Sequence, residues 1–231
     1  SFPTRRSSDL VLPSATLFPQ SLLPLYIFEP RYRQMLADAL KTHRLIAIAM
    51  QKPGRVREAP YLIAGLGLIR VCVGHSDGTS HLILQGLTRV ELGKPAQSRP
   101  YRVHPIRPLR AEPTDNLVVD ALLGKLLDLV EQRIKQGSFG FPFSPIPKPG
   151  KDKTKISLAT PPPAPSSKEV MQYLRHLPHP DQVADLVTCA LLPNARERQT
   201  ILETVEIEPR LKRLVKFLLA ETHRPSKNIE S

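Results

Sequence analysis

Tryptophan is absent from this chain, aromatic residues make up only 5% of it, and just two of its 231 residues are cysteines. Scarce aromatics leave few platforms on which bases could stack, which disfavours a single-strand nucleic-acid binder built on stacking. Cys72 and Cys189 each sit inside an apolar stretch. They read as small buried hydrophobes in a reducing, cytoplasmic setting, not as a disulfide framework or half of a metal site. No apolar run approaches the roughly 18 residues of a membrane span, so no membrane partner is expected. Acid is also short, with 21 Asp and Glu against 33 Lys and Arg and a formal charge of +12. The excess is spread over both halves and is densest in RPYRVHPIRPLR (99–110), where Arg99, Arg102, Arg107 and Arg110 are candidate RNA contacts. A solvated basic surface is the simpler reading, with RNA binding as the alternative.

Proline, by contrast, is plentiful, at 25 residues, and glycine-punctuated apolar runs fill the N-terminal half. The opening SFPTRRSSDL lacks the apolar region of a secretory signal and is too short for a useful amphipathic helix. It coincides with a one-frame translation of a common short-read sequencing adapter. Residues 1–10 are therefore expected to be an assembly artefact, with the native start and part of the first strand missing. Such a loss would expose an unpaired sheet edge. Residues 11–28 are cut by Pro13, Pro19 and Pro24 and read as edge or kinked strand pieces. Pro30 opens a helix over about 30–41, whose Tyr32, Met35, Leu36, Ala39 and Leu40 form one apolar stripe.

LIAIAM (45–50), YLIAGLGLIRVCV (61–73), HLILQGLTRVEL (81–92) and YRVHPIRPL (101–109) read as strands. Gly65, Gly67 and Gly86 mark bulges or bends, and Asp77-Gly78 marks a hairpin. From 116 to 136 the apolar period becomes helical, and 137–167 is a Pro-, Gly- and Lys-rich linker. Ser166 with Glu169, Pro180 with Asp181, Asn194 with Glu197, and Pro209 open four further helices, making a helical unit over 168–224. Strands segregated from helices make the fold class α+β: a mostly antiparallel sheet unit over 11–115, then a C-terminal helical bundle.

LFPQSLLPLYIFEPRYRQMLADAL (17–40) carries the most specific pattern in the chain. Leu17-Phe18-Pro19, Leu23-Pro24-Leu25, Ile27-Phe28-Glu29 and Arg31-Tyr32 match the opening of the Lon protease N-terminal, substrate-binding domain family, which this chain resembles. The glycine-containing strand from Gly65 to Val73, the Asp77-Gly78 hairpin, QGLTRVEL (85–92) with Gly86 and Arg89, ADLVTCALL and RQTILETVEIEPRLKRLVKFL continue the likeness in order. Linker 137–167 aligns with nothing in the family. The resemblance implies a PUA-like β-barrel beside a helical bundle and a non-enzymatic polypeptide-binding module, an adaptor in proteolysis or quality control. Its implied partners are unfolded or misfolded polypeptides and the host Lon protease, with no cofactor. A peptidase label would be inherited from the family name.

The residues support no catalytic assignment. SDGTSH (76–81) resembles the Asp-Gly-x-Ser motif of Lon-type Ser–Lys proteases, but Ser80 and His81 lead straight into a strand, as hairpin residues do. His176 and His179 are separated by a helix-breaking Pro178, so no metal site is assigned, and Gly86 to Lys94 has the wrong spacing for a P-loop. IFEPRYR is read first as a joint, with Phe28 packed under the helix and Glu29 and Arg31 anchoring its start. Phe18, Pro19, Leu23, Pro24, Phe28, Glu29, Arg31 and Tyr32 form the structural motif, and Leu17, Phe18, Leu25 and Tyr26 are candidate substrate contacts.

Overall fold

The structure, a computed structural model, describes residues 5–54, 59–112, 114, 116–136 and 166–222. Most of the expected linker, 137–165, lies outside the described residues. Six strands come first: β1 (Arg5–Leu12), β2 (Leu22–Ile27), β3 (Leu45–Met50), β4 (Ile63–Gly74), β5 (Ser80–Leu92) and β6 (Val103–Leu109). Helix α1 (Pro30–Lys41) lies between β2 and β3. Then follow α2 (Leu117–Lys135), α3 (Ser167–His176), α4 (Pro180–Leu191), α5 (Ala195–Glu203) and α6 (Ile207–Thr222). The Ser166–Glu169 capping box starts α3, and Asn194 Oδ1 accepts from the Arg196 and Glu197 amides at the start of α5. Helix α6 begins at Ile207, not at Pro209, because proline within the first turn costs no hydrogen bond.

The strand order is β2-β5-β4-β3-β1-β6, with a further β5–β6 pairing. Every pairing is antiparallel except β1–β3. Strand β5 changes partner along its length. Its first half, Ser80–Gln85, pairs with β2, and its second half, Arg89–Leu92, pairs with β6. The pairings therefore run in a circuit, β5-β4-β3-β1-β6-β5, with β2 hanging off it as an edge. The segment expected to be an artefact supplies much of β1, an interior strand, so the edge expected over 11–28 is narrower. Val11 and Leu12 are interior, and among the described strands only β2 is an edge.

Leu17 and Phe18 cross the bend of β4 and β5 so closely that a side chain there would collide with them. A Cβ on Gly65 would lie 1.9 Å from the Leu17 carbonyl oxygen, and one on Gly86 equally close to that of Phe18. The two side chains part company beyond that crossing. Leu17 fills the sheet core beside Ile46, Ile48, Ile69 and Leu84, whereas Phe18 joins the helical core of Val119, Leu126, Val130, Leu211 and Leu214.

Polar ties join the two units. Arg89 of β5 is 5% exposed, and its Nη1 and Nη2 donate to Asp185 of α4 at 2.9 and 2.5 Å. Its Nε donates to the Leu202 carbonyl at 3.1 Å, and the guanidinium lies over the Phe18 ring, 5.6 Å from its centroid. Arg210 of α6, 1% exposed, donates to Asp181 and Asp185 at 2.8 and 3.4 Å and to the Thr204 and Val205 carbonyls. Gln199 Nε2 donates to the Ile63 carbonyl at 3.0 Å, and Arg198 Nη2 to that of Ser14 at 3.1 Å. Removing one partner from a buried charge pair strands the other charge, at a cost of about 3–5 kcal/mol. Asp185→Asn should therefore lower the urea unfolding free energy by about that amount; an unchanged midpoint and slope would contradict this reading of the joint.

Candidate functional site

The unpaired side of β2 is where another chain could reach the sheet, and its backbone phase follows from one bond. The Gly86 amide donates to the Ser21 carbonyl at 2.8 Å. In an antiparallel ladder the next residues then alternate. Leu23, Leu25 and Ile27 turn their backbone groups toward β5. Leu22, Pro24 and Tyr26 turn theirs toward the free side. Pro24 has no N–H, so this edge presents two amides where three would otherwise stand. Side chains alternate in the same rhythm: Leu22, Pro24 and Tyr26 are exposed, while Leu23 and Leu25 pack partly against the sheet core.

The edge ends in an aromatic cluster. Tyr26 stacks on Phe28 with centroids 5.9 Å apart and meets His81 of β5 at a tilt, with centroids 4.7 Å apart. Phe28 is 58% exposed and Tyr26 48%, a combination that leaves large apolar surface in water. At the other end β2 runs into a groove of about 310 Å³ between sheet and helices, lined by Ser14, Ala15, Leu22, Pro24, Leu186 and Cys189, with Arg198 beside them. Arg198 is committed to the carbonyls of Ser14, Leu192 and Pro193. Burial, with the nearby Asp185 carboxylate, pushes the half-buried Cys189 thiol up to about 12, so it lines the groove as a neutral group, not a nucleophile. Cys72 is half-buried as well, so neither thiol is as fully enclosed as its sequence context implies.

The motif residues divide differently from the expectation. Leu17 and Phe18, expected at a contact surface, are both 0% exposed and serve the two cores. Phe28, expected under α1, points instead to solvent, because the chain turns at Glu29 and the apolar stripe of α1 (Tyr32, Met35, Leu36, Ala39) already fills that space. Pro19 sits in the tight turn that Ser21 closes, its Oγ donating to the Phe18 carbonyl at 2.7 Å. Glu29 is the N-cap of α1 and accepts from Arg31 Nε at 3.0 Å, while the Arg31 guanidinium lies over the Tyr32 ring at 4.4 Å. Leu25 is half-buried and Tyr26 exposed. The groove lining by Leu186 and Cys189 has no sequence signal, since it depends on how α4 meets the sheet.

The basic stretch does not form one uniform patch. Arg102 Nε lies 3.2 Å from Asp9 Oδ2, and Arg107 pairs with Glu91, while Arg99 and Arg110 are exposed. Ser80 opens β5 opposite Ile27 and Gly74. His176 shares a hydrogen bond with the Gln172 carbonyl, and His179 occupies the N-cap position of α4 without a side-chain capping bond. Among the described residues no group of three or more His, Cys, Asp or Glu gathers as a metal cluster would.

A mostly antiparallel sheet with one exposed edge, clamped to a helical unit, is the architecture that these residues define. The family model for the ATP-dependent protease La (LON) substrate-binding domain matches residues 10–220, and the chain belongs to that family. It is 23% identical over 215 residues to the Lon protease of Dictyoglomus thermophilum, covering 92% of this chain and 24% of that protein. With the Lon protease of Brevibacillus choshinensis it shares 24% identity over 213 residues, 90% of this chain and 24% of that one. The chain thus spans about a quarter of the length of these curated relatives. Its fold is similar to the N-terminal domain of Mycobacterium avium complex Lon protease, with a TM-score of 0.68, 15% identity and coverage of 93% of this chain and 98% of that one. A Lon N-terminal domain protein from Xanthomonas campestris gives a TM-score of 0.62 at 15% identity, covering 92% and 98%.

The burial pattern separates structural from surface aromatics. Phe18→Ala should cost about 3–5 kcal/mol, whereas Tyr26→Ala and Phe28→Ala should each fall within about 1 kcal/mol of the parent. Urea unfolding of the three variants checks this, and equal losses would contradict it. A second test concerns the contact between α1 and the segment before β6, where the Tyr101 hydroxyl donates to Asp38 Oδ2 at 2.7 Å. Burial, then that bond, push the phenol up to about 12, while the same bond, followed by that from Gln34, holds the Asp38 carboxyl below its ordinary value. The Asp38 contribution to stability is present above the ordinary carboxylate range and lost as pH falls through the depressed value. Tyr101→Phe should raise the Asp38 titration midpoint in an NMR pH titration, and an unmoved midpoint would contradict the assignment.

Proposed function

We propose that this chain is a non-catalytic recognition module that holds extended, apolar stretches of unfolded polypeptide along the free side of β2 and in the groove at its start. The observation that carries the proposal is the continuity of that surface: outward Leu22, Tyr26 and Phe28, outward backbone groups, and a groove lined by Leu186 and Cys189 at one end. A client strand added here would hydrogen-bond to the Leu22 and Tyr26 amides and set alternate side chains against the exposed residues. Pro24 makes the edge a poor template for long strand pairing, which favours reversible holding over aggregation.

The family membership supports substrate recognition as the role, and the circuit of strand pairings supports the PUA-like barrel description. In this reading the protein works in the cytoplasm as an adaptor in proteolysis or quality control, handing clients to the host's Lon protease. No described helix is long and apolar enough to cross a membrane. We rank polypeptide above RNA as the ligand because Arg102 and Arg107, two of the four arginines nominated for RNA, already face carboxylates.

A reduced, alkylated protein serves as the unfolded client. Replacing Tyr26 and Phe28 together by alanine should weaken its binding about tenfold, equivalent to about 1.4 kcal/mol. Undiminished binding by the double variant would remove this surface from the proposal. Tight RNA binding with a steep salt slope, lost on replacing Arg99, Arg102, Arg107 and Arg110 by glutamine, would favour the RNA reading instead.

A further inference from the structure

The β4–β5 hairpin brings two imidazoles together beside its turn. His75 follows the last residue of β4, and His81 is the second residue of β5, paired with Val73. His75 Nε2 and His81 Nδ1 lie 2.7 Å apart, with ring planes at 88° and centroids 4.9 Å apart. The turn between them is fixed by its own bonds. The His75 amide donates to the Thr79 carbonyl at 2.9 Å, and the Gly78 amide to the His75 carbonyl at 3.0 Å. Asp77 Oδ1 accepts from the Thr79 amide and hydroxyl at 2.9 and 2.7 Å, which fixes the turn. Gly78, at φ +80, lies so close to the Arg33 guanidinium of α1 that a Cβ there would sit 1.8 Å from Nη2. The Tyr26 ring backs His81.

Two ring nitrogens 2.7 Å apart, beside the pinned turn of an exposed hairpin, can serve together as a chelate. We propose that His75 and His81 form a two-imidazole site for a divalent first-row transition ion of the Cu(II) or Ni(II) class. The metal would take the place of the single proton now between the rings. Both contact nitrogens then supply lone pairs, and the ring protons sit on His75 Nδ1 and His81 Nε2. For the neutral pair this is a tautomer change with no net proton released. Metal–imidazole bonds of about 2.0–2.1 Å set the nitrogens about 2.9 Å apart at a right-angled corner and about 3.4 Å apart in a tetrahedron. The observed 2.7 Å is closer to the right-angled arrangement, which square-planar and tetragonal ions adopt. Copper and nickel also stand high in the affinity order for nitrogen donors.

Asp77, between the two histidines in sequence, supplies the nearby negative charge, and Arg33, the charged group facing the turn from α1, opposes it. Water or a donor from a bound molecule fills the remaining positions. This site goes beyond the polypeptide-binding reading and does not depend on it, although His81 adjoins Tyr26 on the same face.

The test is titration of the whole chain with Cu(II), and separately Ni(II), in a non-coordinating buffer. Electron paramagnetic resonance follows copper, and since the chain has no tryptophan, tyrosine fluorescence reports quenching near Tyr26. The expected result is one tight equivalent with nitrogen couplings from two imidazoles. Affinity should fall at least tenfold in His75→Ala and again in His81→Ala, and stay unchanged in a His176→Ala, His179→Ala control. His75 is exposed, so His75→Ala decides the question even if His81→Ala perturbs the strand. Absence of saturable binding, or binding that His75→Ala leaves intact, would overturn the proposal.

Discussion

The fold depends on one buried ion pair. Arg89 leaves a strand of the sheet and reaches Asp185 in the middle of α4, with each side chain almost wholly out of water. Such a pair gains little over an apolar contact, because desolvation consumes most of the Coulomb energy. Its value here is positional. A planar fork gripping a carboxylate through two bonds, with a third to the Leu202 carbonyl, fixes both the distance and the angle between sheet and helices. Arg210 completes the arrangement. Burial first, and the neighbouring Arg89 charge second, act to depress its pKa, and Asp185 and Asp181 counter them. Two cations thus meet two carboxylates, one of which is shared.

Around this joint the rest of the N-terminal half is arranged to let one dipeptide through. Leu17-Phe18 passes over β4 and β5 where Gly65 and Gly86 remove the side chains in its way, and it sends one side chain into each core. The Arg89 guanidinium then lies on the Phe18 ring. Gly86 also marks where β5 leaves β2 for β6, so the bend that admits Phe18 is the bend that leaves β2 as an edge. The exposed strand and the groove beside it follow from how the two cores are joined.

Much of this was legible in the sequence, and the failures have physical causes. Helix starts were readable because caps are local chemistry: Ser166 with Glu169, Asn194 before Arg196 and Glu197, and Pro30 at a first turn. Strands 45–50 and 81–92 announced themselves by apolar runs and by Asp77-Gly78. Glycines at 65 and 86 pointed to a bend, though not to the carbonyls that require it. What could not be read was direction. Phe28 and Phe18 are equally apolar, yet one faces water and the other is wholly enclosed, and only the path of the chain between them decides which. Asp185 carried a faint signal, an acid within the apolar run VADLV, whereas Arg89 stood in a strand that also holds Gln85, Thr88 and Glu91 and carried none. Their pairing is tertiary, since 96 residues separate them.

The polypeptide-binding account rests on the free side of β2, and amide hydrogen exchange measures that side directly. The Leu22 and Tyr26 amides point away from β5, so adding an unfolded client should slow their exchange while leaving the Leu23 and Leu25 amides, already bonded within the sheet, nearly as they were. Unchanged exchange at Leu22 and Tyr26 under saturating client, with protection appearing elsewhere on the molecule, would contradict the account.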